Sequence, residues 1–198
     1  MSAIDDAAVA VRDGSLVVFP TDTVYGIGSR PDVPQATRRL FEAKGRPTEL
    51  ELPVLASSRV ELERVAVFDE RALLLADRFW PGPLTLILPR GEESRGWDLG
   101  GDPSTVGVRI PRHRLASLVL EVTGPMAVTS ANLSGKPPLT KAEELVACFG
   151  EAVVVYICEE RPVPGIASTV ADLAHGPMRL IREGVVLESA LLDAMNVG

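Results

Sequence analysis

Short apolar runs of strand length alternate with helix-like segments early in the chain and cluster together towards its end. A short apolar run that stops at a proline or a polar loop predicts a buried strand. The predicted strands are residues 16–19, 53–56, 84–88, 106–110, 126–129, 153–157, 168–173 and 178–181. The predicted helices are residues 4–11, 34–43, 60–65, 69–80, 113–122, 140–148 and 185–195. This order favours one α/β domain over residues 1–198, built on a single twisted mixed sheet with flanking helices.

Local residue chemistry predicts two of the helix starts and one loop. Asp69 is a candidate N-cap for the helix that follows it, and Thr140 is another, with Glu143 at the spacing of a capping box. The segment 20–28 is bounded by proline and glycines, so we expect a loop that carries hydroxyl groups.

Length, composition and net charge exclude several classes of protein. A length of 198 residues suits one domain with a sizeable core, and 46% hydrophobic with 24% charged residues is ordinary for a globular protein. A net charge of −7 and a pI near 4.9 argue against holding nucleic acid by bulk electrostatics, although a local basic cleft is compatible with them. The chain contains no apolar run of membrane-spanning length, no secretory signal and no disulfide framework, so we expect a cytoplasmic protein without a membrane partner.

Two distant segments carry the polar groups that suit an anionic ligand. Residues 44–47 supply the cations Lys44 and Arg46, and residues 130–135 supply the Ser130 hydroxyl and the Asn132 amide. Both segments are rich in loop-forming residues, which expose backbone N–H groups. Fixed cations, hydroxyls and free N–H groups together suit a ligand with several negatively charged oxygens, such as a nucleoside triphosphate.

Each of these residues also has an ordinary structural interpretation. Lys44 can be a solvated cation at a helix C-terminus, Asn132 can be a left-handed turn residue, and Thr23 can be a turn hydroxyl. Arg109 lies on the polar face of an alternating strand, where a solvated arginine is the default, and Arg182 follows the last predicted strand.

Several common catalytic sites are not recognisable in the sequence. The two histidines, His113 and His175, are isolated, and no spacing of His, Cys, Asp or Glu resembles a metal cage. The sequence contains neither a Walker A pattern nor a GxGxxG pattern, and two isolated histidines support no Ser-His-Asp triad.

Seven segments occur in the same order as in a known family and span nearly the whole chain, so the chain resembles the YrdC-like family, which includes threonylcarbamoyl-AMP synthase. The matching segments are residues 20–28 (PTDTVYGIG), 43–47 (AKGRP), 79–86 (FWPGPLTL), 105–111 (TVGVRIP), 129–135 (TSANLSG), 168–173 (STVADL) and 180–184 (LIREG). The chain is similar to the short, single-domain form of the family.

The resemblance implies a fold and an activity. The fold is the YrdC-like (DHBP synthase-like) α/β sheet around a large, positively lined cavity. The activity is that of an L-threonylcarbamoyladenylate synthase, a nucleotidyltransferase that condenses L-threonine, bicarbonate and ATP and releases pyrophosphate. Partner proteins then pass the threonylcarbamoyl group to tRNA. Mg²⁺ is expected to arrive with ATP rather than in a cage built by the protein.

The resemblance also implies roles for individual residues. It assigns Lys44, Arg46, Ser130 and Asn132 to catalysis and to ATP binding, where charge stabilisation dominates phosphoryl-type transfer. Thr23 and Arg109 are expected to bind threonine, with Arg109 gripping its carboxylate in bidentate fashion. Two further residues are expected to contact ATP, namely Thr105 and Arg182.

Five positions depart from the family pattern. Leu50 stands where a polar ATP contact is expected, and Leu55 stands where a histidine that contacts threonine is common. Glu49 and Glu51 add negative charge to a loop that should face a triphosphate, and Pro138 replaces a serine beside Lys136. These changes leave two alternatives open: a protein that binds nucleotide, double-stranded RNA or tRNA without synthase activity, and a related carbamoyl-adenylating enzyme.

Overall fold

One sheet of nine strands organises the computed structural model, which describes residues 2–196. The strands are β1 (Leu16–Phe19), β2 (Gly26–Ser29), β3 (Val54–Leu55), β4 (Leu84–Pro89), β5 (Thr105–Arg109), β6 (Met126–Ser130), β7 (Val153–Tyr156), β8 (Thr169–Asp172) and β9 (Arg179–Arg182). The helices are α1 (Ala3–Arg12), α2 (Pro34–Lys44), α3 (Arg59–Val65), α4 (Glu70–Phe79), α5 (Arg114–Thr123), α6 (Ala142–Phe149) and α7 (Glu188–Asn196).

The sheet is mixed, as the order of predicted elements indicated. Its strand order is β7-β1-β2-β6-β3-β5-β4-β8-β9. The pairs β1–β7, β3–β5 and β4–β8 are parallel, and the other neighbours are antiparallel. Within residues 2–196 none of the helices is both long and apolar enough to cross a bilayer.

The hydroxyl-bearing loop is shorter than predicted because its second half is a strand. Gly26 to Ser29 form β2, which pairs with β1 and β6. A glycine-rich stretch carries no strand signal, so the sequence prediction of a loop through residue 28 is wrong for these residues. Glycine is required here by close packing, since a Cβ at Gly26 would lie 2.8 Å from the Val128 side chain.

Helix ends follow local chemistry in most cases. The Asp69 side chain accepts a hydrogen bond from the Ala72 N–H and caps α4, which confirms the sequence prediction. Helix α2 ends at Gly45, whose φ of 56° lies in the left-handed region that glycine adopts without strain. The predicted Thr140 cap is wrong, because the N-cap of α6 is Lys141, without a side-chain hydrogen bond.

The two faces of the sheet are covered unequally. On one face α2, α3, α4, α6 and α7 pack along the sheet and bury residues such as Leu86 and Val108. On the other face, within residues 2–196, α1 and α5 alone pack, against residues that include Phe19 and Val128. That second face is therefore open beside β3, β4, β5, β8 and β9, where their remaining side chains point away from the larger core.

Candidate functional site

A cavity of about 640 Å³ lies over the part of the sheet that α1 and α5 leave uncovered. Its floor is formed by one face of four strands, and the residues there are Leu55, Thr85, Ile87, Gly107, Arg109 and Val170. Loops around residues 21–24, 46–51, 130–138 and 167–168 form its rim. A groove of about 750 Å³ beside Phe68 is more open to solvent and contains none of the sequence-predicted site residues.

Three arginines converge on this cavity: Arg46 from the loop after α2, Arg109 from β5 and Arg182 from β9. Burial lowers the pKa of all three, and repulsion from Arg182 adds to this for the other two. Guanidinium groups stay protonated even so, because their ordinary pKa exceeds about 12. A cluster of three like charges, of which Arg109 is buried, Arg46 half-buried and Arg182 exposed, favours a ligand with several anionic oxygens.

Arg109 is buried and paired, which corrects the expectation of a solvated side chain. Its Nη2 donates to the Asp22 carboxylate at 2.6 Å, its Nη1 to the Thr23 hydroxyl at 3.0 Å and its Nε to the Gly82 carbonyl at 3.0 Å. Within residues 2–196 these bonds use three of the five guanidinium N–H groups. The remaining two can bind a ligand carboxylate.

Thr23 is held by hydrogen bonds that orient its hydroxyl. The Thr21 hydroxyl donates to the Val24 carbonyl at 2.6 Å, so in the 2.9 Å contact between the two threonines it is Thr23 that donates. Thr23 also accepts from Arg109. Thr23 therefore offers a ligand one remaining lone pair, next to the free N–H groups of Arg109.

The other two arginines are fixed by backbone carbonyls. Arg46 donates through Nε to the Leu50 carbonyl at 3.2 Å and through Nη2 to the Glu51 carbonyl at 2.9 Å. Arg182 donates through Nε and Nη2 to the Ser168 carbonyl at 3.1 and 2.9 Å. Neutral acceptors position these guanidinium groups without cancelling their charge.

Lys44 lies behind the cavity wall and is not one of its lining residues. Only 2% of the residue is exposed, so the interpretation as a solvated helix-end cation is wrong. Its Nζ donates to the carbonyls of Ser130 and Asn132, each at 2.5 Å. Burial, with repulsion from Arg46, lowers its pKa to about 8. Lys44 thereby ties the end of α2 to the loop after β6.

Ser130 and Asn132 both line the cavity, on the loop that Lys44 anchors. The Asn132 Nδ2 donates to the carbonyls of Leu133 and Lys136 at 2.8 and 2.7 Å. Its buried Oδ1 has no partner among residues 2–196 and is available to accept a hydrogen bond from a ligand. Asn132 does not adopt a positive φ, so the interpretation as a left-handed turn residue is wrong.

The structure does not bring Thr105 to the other predicted residues. Thr105 begins β5, opposite Pro89, whereas Arg109 ends the same strand. Thr105 is buried and is not part of the cavity lining. Its predicted contact with ATP stays a prediction.

The positions that depart from the family pattern line the cavity, except for Glu49. Leu50 and Leu55 both line it, the first on the rim and the second on the floor. Lys136 and Pro138 also lie on the rim, and Lys136 places a fourth cation at the cavity mouth. The apolar substitutions therefore alter the site itself.

The sequence-based selection missed two hydroxyl groups in the cavity and noted a third group, Glu51, only as added negative charge on a loop. Thr85 and Ser168 form a 2.9 Å hydroxyl pair across β4 and the start of β8, and both lie inside segments that carried the family resemblance. Glu51 lines the cavity with Pro53 and Leu55. Residues 51, 53 and 55 follow the two-residue period of a strand. Extending the predicted strand 53–56 back by two residues would have placed Glu51 on the cavity-facing side.

The two histidines lie outside the cavity. His175 bridges Asp172 and Asp102 at 2.9 and 3.3 Å, which raises the pKa of its imidazole, and His113 lies 3.4 Å from Glu159. In the part of the chain that the structure describes, His, Cys, Asp and Glu side chains form no group of three that could hold a metal ion.

A family model described as "Telomere recombination", Sua5/YciO/YrdC, matches residues 9–184. The chain belongs to the Sua5/YciO/YrdC family. It is 43% identical to the threonylcarbamoyl-AMP synthase of Pyrococcus abyssi over 90% of this chain and 53% of that protein. It is 38% identical to the Bacillus subtilis protein of that name over 95% of this chain and 55% of the relative.

A solved member of the Sua5/YciO/YrdC family shares the fold. The crystal structure of Pyrococcus abyssi Sua5 complexed with L-threonine superposes with a TM-score of 0.88 at 38% identity, over 97% of this chain and 57% of that one. The chain thus spans about half the length of these relatives. The family resemblance and the YrdC-like α/β fold inferred from the sequence are confirmed.

Proposed function

We propose that this chain is a threonylcarbamoyl-AMP synthase, which condenses L-threonine, bicarbonate and ATP. The observation that carries the proposal is the placement of three arginines around one cavity, of which, among residues 2–196, only Arg109 has a carboxylate partner, Asp22. The name of the relatives and the threonine complex of the Pyrococcus abyssi protein support it.

Threonine suits the Arg109 end of the cavity. Two N–H groups of Arg109 and one lone pair of Thr23 face a ligand there. The bidentate guanidinium geometry matches the amino acid carboxylate, and the Thr23 oxygen can accept from its amine or hydroxyl. Arg109 and Thr23 then hold the amine where it can be carboxylated.

The triphosphate suits the remaining cations. Arg46, Arg182 and Lys136 line the cavity on the rim loops and β9. We place the β- and γ-phosphates against them, with Mg²⁺ entering as part of the Mg–ATP substrate. The Ser130 hydroxyl at the end of β6 and the Asn132 amide on the loop after it lie beside this region.

The chemistry follows from these positions. The threonine ammonium first gives its proton to solvent; the neutral amine then bonds to the carbon of bicarbonate, and loss of water leaves a carbamate. A carbamate oxygen bonds to the α-phosphorus, the bond from that phosphorus to the bridging oxygen breaks, and pyrophosphate leaves with the electron pair. Arg46 and Arg182 stabilise the charge that accumulates on the leaving group.

The product is an activated adenylate, and partner proteins would transfer its threonylcarbamoyl group to tRNA with release of AMP. We assign the reaction to the cytoplasm, where tRNA modification would consume the adenylate product. The negative net charge of the chain favours a small-molecule cavity over an extended RNA-binding surface.

The test is pyrophosphate release from Mg–ATP and bicarbonate, with and without L-threonine and against the other amino acids. We expect release that depends on both threonine and bicarbonate. Release with another amino acid instead would assign a related carbamoyl-adenylating activity. Binding of ATP or double-stranded RNA without release for any amino acid would assign a binding protein and overturn the proposal.

A further inference from the structure

The ion pair between Arg109 and Asp22 differs from the other ion pairs of the chain in its burial. Their side chains are 6% and 13% exposed, and the distance from Nη2 to Oδ1 is 2.6 Å. In every other ion pair among residues 2–196, at least one side chain is 38% exposed or more. The cost of desolvation offsets most of the attraction in a buried pair, so folding stability alone does not account for this one.

The negative charge of Asp22 is only partly compensated inside the protein. Its Oδ1 accepts the hydrogen bond from Arg109, whereas its Oδ2 is buried and has no hydrogen-bond partner among residues 2–196. Asp22 is not a lining residue, although its neighbours Thr21 and Thr23 line the cavity. A ligand at Arg109 therefore experiences the charge of Asp22 through space and not by direct contact.

The other cations of the cavity lack a carboxylate partner. Arg46 and Arg182 donate to backbone carbonyls, and Arg182 also donates to the Ser168 hydroxyl. In the described part of the chain, Arg46, Arg182 and Lys136 form no ion pair with a carboxylate, unlike Arg109. The local charge is therefore close to zero at the Arg109 end of the cavity and positive around the other three cations.

This uneven charge distinguishes the two substrates of the proposed reaction. An amino acid at neutral pH is a zwitterion, whose carboxylate matches Arg109 and whose ammonium is attracted by Asp22. A phosphate group or a simple carboxylate gains the same attraction to Arg109 but is repelled by Asp22, without a positive group of its own to offset the repulsion. An unfavourable charge of this kind is an effective way to exclude a competing ligand.

We propose that Asp22 is a specificity-determining residue: its charge makes the Arg109 end of the cavity accept a zwitterionic amino acid and reject phosphate groups and simple carboxylates. This inference rests on the proposed function, because it explains how threonine and the triphosphate are directed to different parts of one cavity. The charges of Arg109 and Asp22 have opposite effects on the bound ammonium, so it can still give its proton to solvent.

The first experiment measures by calorimetry the binding of L-threonine and of its hydroxy acid analogue, in which a hydroxyl replaces the α-amine. Wild type should bind threonine at least about tenfold more tightly than the analogue. Asp22→Asn keeps an oxygen for Arg109 but removes the charge, so it should bind the analogue more tightly than wild type does. The ratio of the two Kd values should then fall by about tenfold.

The matched control is Asp32→Asn. Asp32 pairs with Arg30 at the same distance of 2.6 Å, but both side chains are more exposed and neither lines this cavity. We expect the wild-type ratio of Kd values in this variant. An equal fall of the ratio in both variants would assign the effect to net charge and overturn the inference.

A purely structural role of Asp22 would give a different result. If Asp22 only oriented Arg109, the Asp22→Asn substitution would weaken threonine and its analogue by the same factor, and an unchanged ratio would overturn the inference. Wild type provides a test that does not depend on the folding of the variant. Equal affinity of wild type for threonine and the analogue would overturn the inference by itself.

The second experiment titrates threonine in the presence of saturating pyrophosphate. In wild type the Kd for threonine should change by less than about twofold, because pyrophosphate stays at Arg46 and Arg182. In Asp22→Asn pyrophosphate should also occupy Arg109 and raise the apparent Kd for threonine by at least about fivefold. Equal competition in both proteins would overturn the inference, and threonine-dependent pyrophosphate release would still support the proposed function. Absence of threonine binding by wild type would overturn the proposed function as well.

Discussion

The buried ammonium of Lys44 donates to the carbonyl of Asn132 at 2.5 Å, across a separation of 88 residues. Lys44 ends α2, and Asn132 lies on the loop after β6. The contact therefore joins the two segments that the sequence singled out as an anionic-ligand site. It also makes Lys44 a residue that positions the loop rather than one that lines the cavity.

Replacing Lys44 should affect folding stability as well as activity. Lys44→Met leaves two buried carbonyls without their donor, which should lower the free energy of unfolding by roughly 2–4 kcal/mol. Urea denaturation of the unliganded protein measures this. Lys141→Met, at an exposed position, is the matched control and should change stability by less than about 0.5 kcal/mol. Unchanged stability in Lys44→Met would contradict the anchoring role.

Burial raises the pKa of Glu51, which predicts a stability that depends on pH. The folded-state pKa of about 7 lies above the ordinary value of 4.5, so the folded chain holds more protons between these two pH values. Its stability therefore falls as pH rises through this window, by up to about 3 kcal/mol from this residue.

Glu51→Gln removes that dependence. It should be more stable than wild type by up to about 3 kcal/mol at pH 8 and by less than about 1 kcal/mol at pH 5. Denaturant midpoints at both pH values check this, with Glu49→Gln as the control. The same stabilisation at both pH values would point to packing instead of ionisation.

Arg109→Lys should separate threonine binding from nucleotide binding. Lysine keeps the charge but loses the planar pair of donors, so the KM for threonine should rise by more than about tenfold. The Kd for Mg–ATP without threonine should change by less than about threefold. The control is Arg112→Lys, because Arg112 is exposed and donates to the Pro81 carbonyl. Equal losses for both ligands would place Arg109 at the triphosphate.

Leu50→Lys should tighten Mg–ATP binding. Leu50 lines the cavity rim and is 47% exposed, so an added ammonium can reach a phosphate from there. We expect a decrease in Kd of about three- to tenfold that weakens at high salt. Val60→Lys adds the same charge at an exposed position on α3 and serves as the control. If both variants lowered the Kd for Mg–ATP equally, the change would be explained by net charge and not by the position of Leu50.

Local patterns were sufficient for elements whose signal lies within a few residues. Residues 16–19 form the predicted strand, and Asp69 caps the predicted helix. Strand β2 could not be predicted in this way, because its glycines reflect the close approach of Val128 from β6. Such packing depends on a strand about one hundred residues later.

The candidate site shows the same contrast between features that a local sequence pattern predicts and features that depend on distant residues. The sequence identified Lys44, Arg46, Ser130 and Asn132 as residues that belong together. In the structure Lys44 contacts the carbonyls of Ser130 and Asn132, and Arg46 lines the cavity with those two residues. The sequence could not predict that Arg109 is buried, because Asp22 and Thr23, which pair with it, lie 87 and 86 residues away. Long-range ion pairs leave no periodic signal in a single sequence.

The alternation along β4 and β5 limits how the floor of this cavity can change. Each floor position of these strands is flanked by residues of the larger core, as Gly107 is by Val106 and Val108. A shift of the floor would disturb that core, whereas the rim segments 46–51 and 130–138 lie on loops. New ligand preferences can therefore arise through substitutions in the rim segments, while the strands that form the floor stay the same.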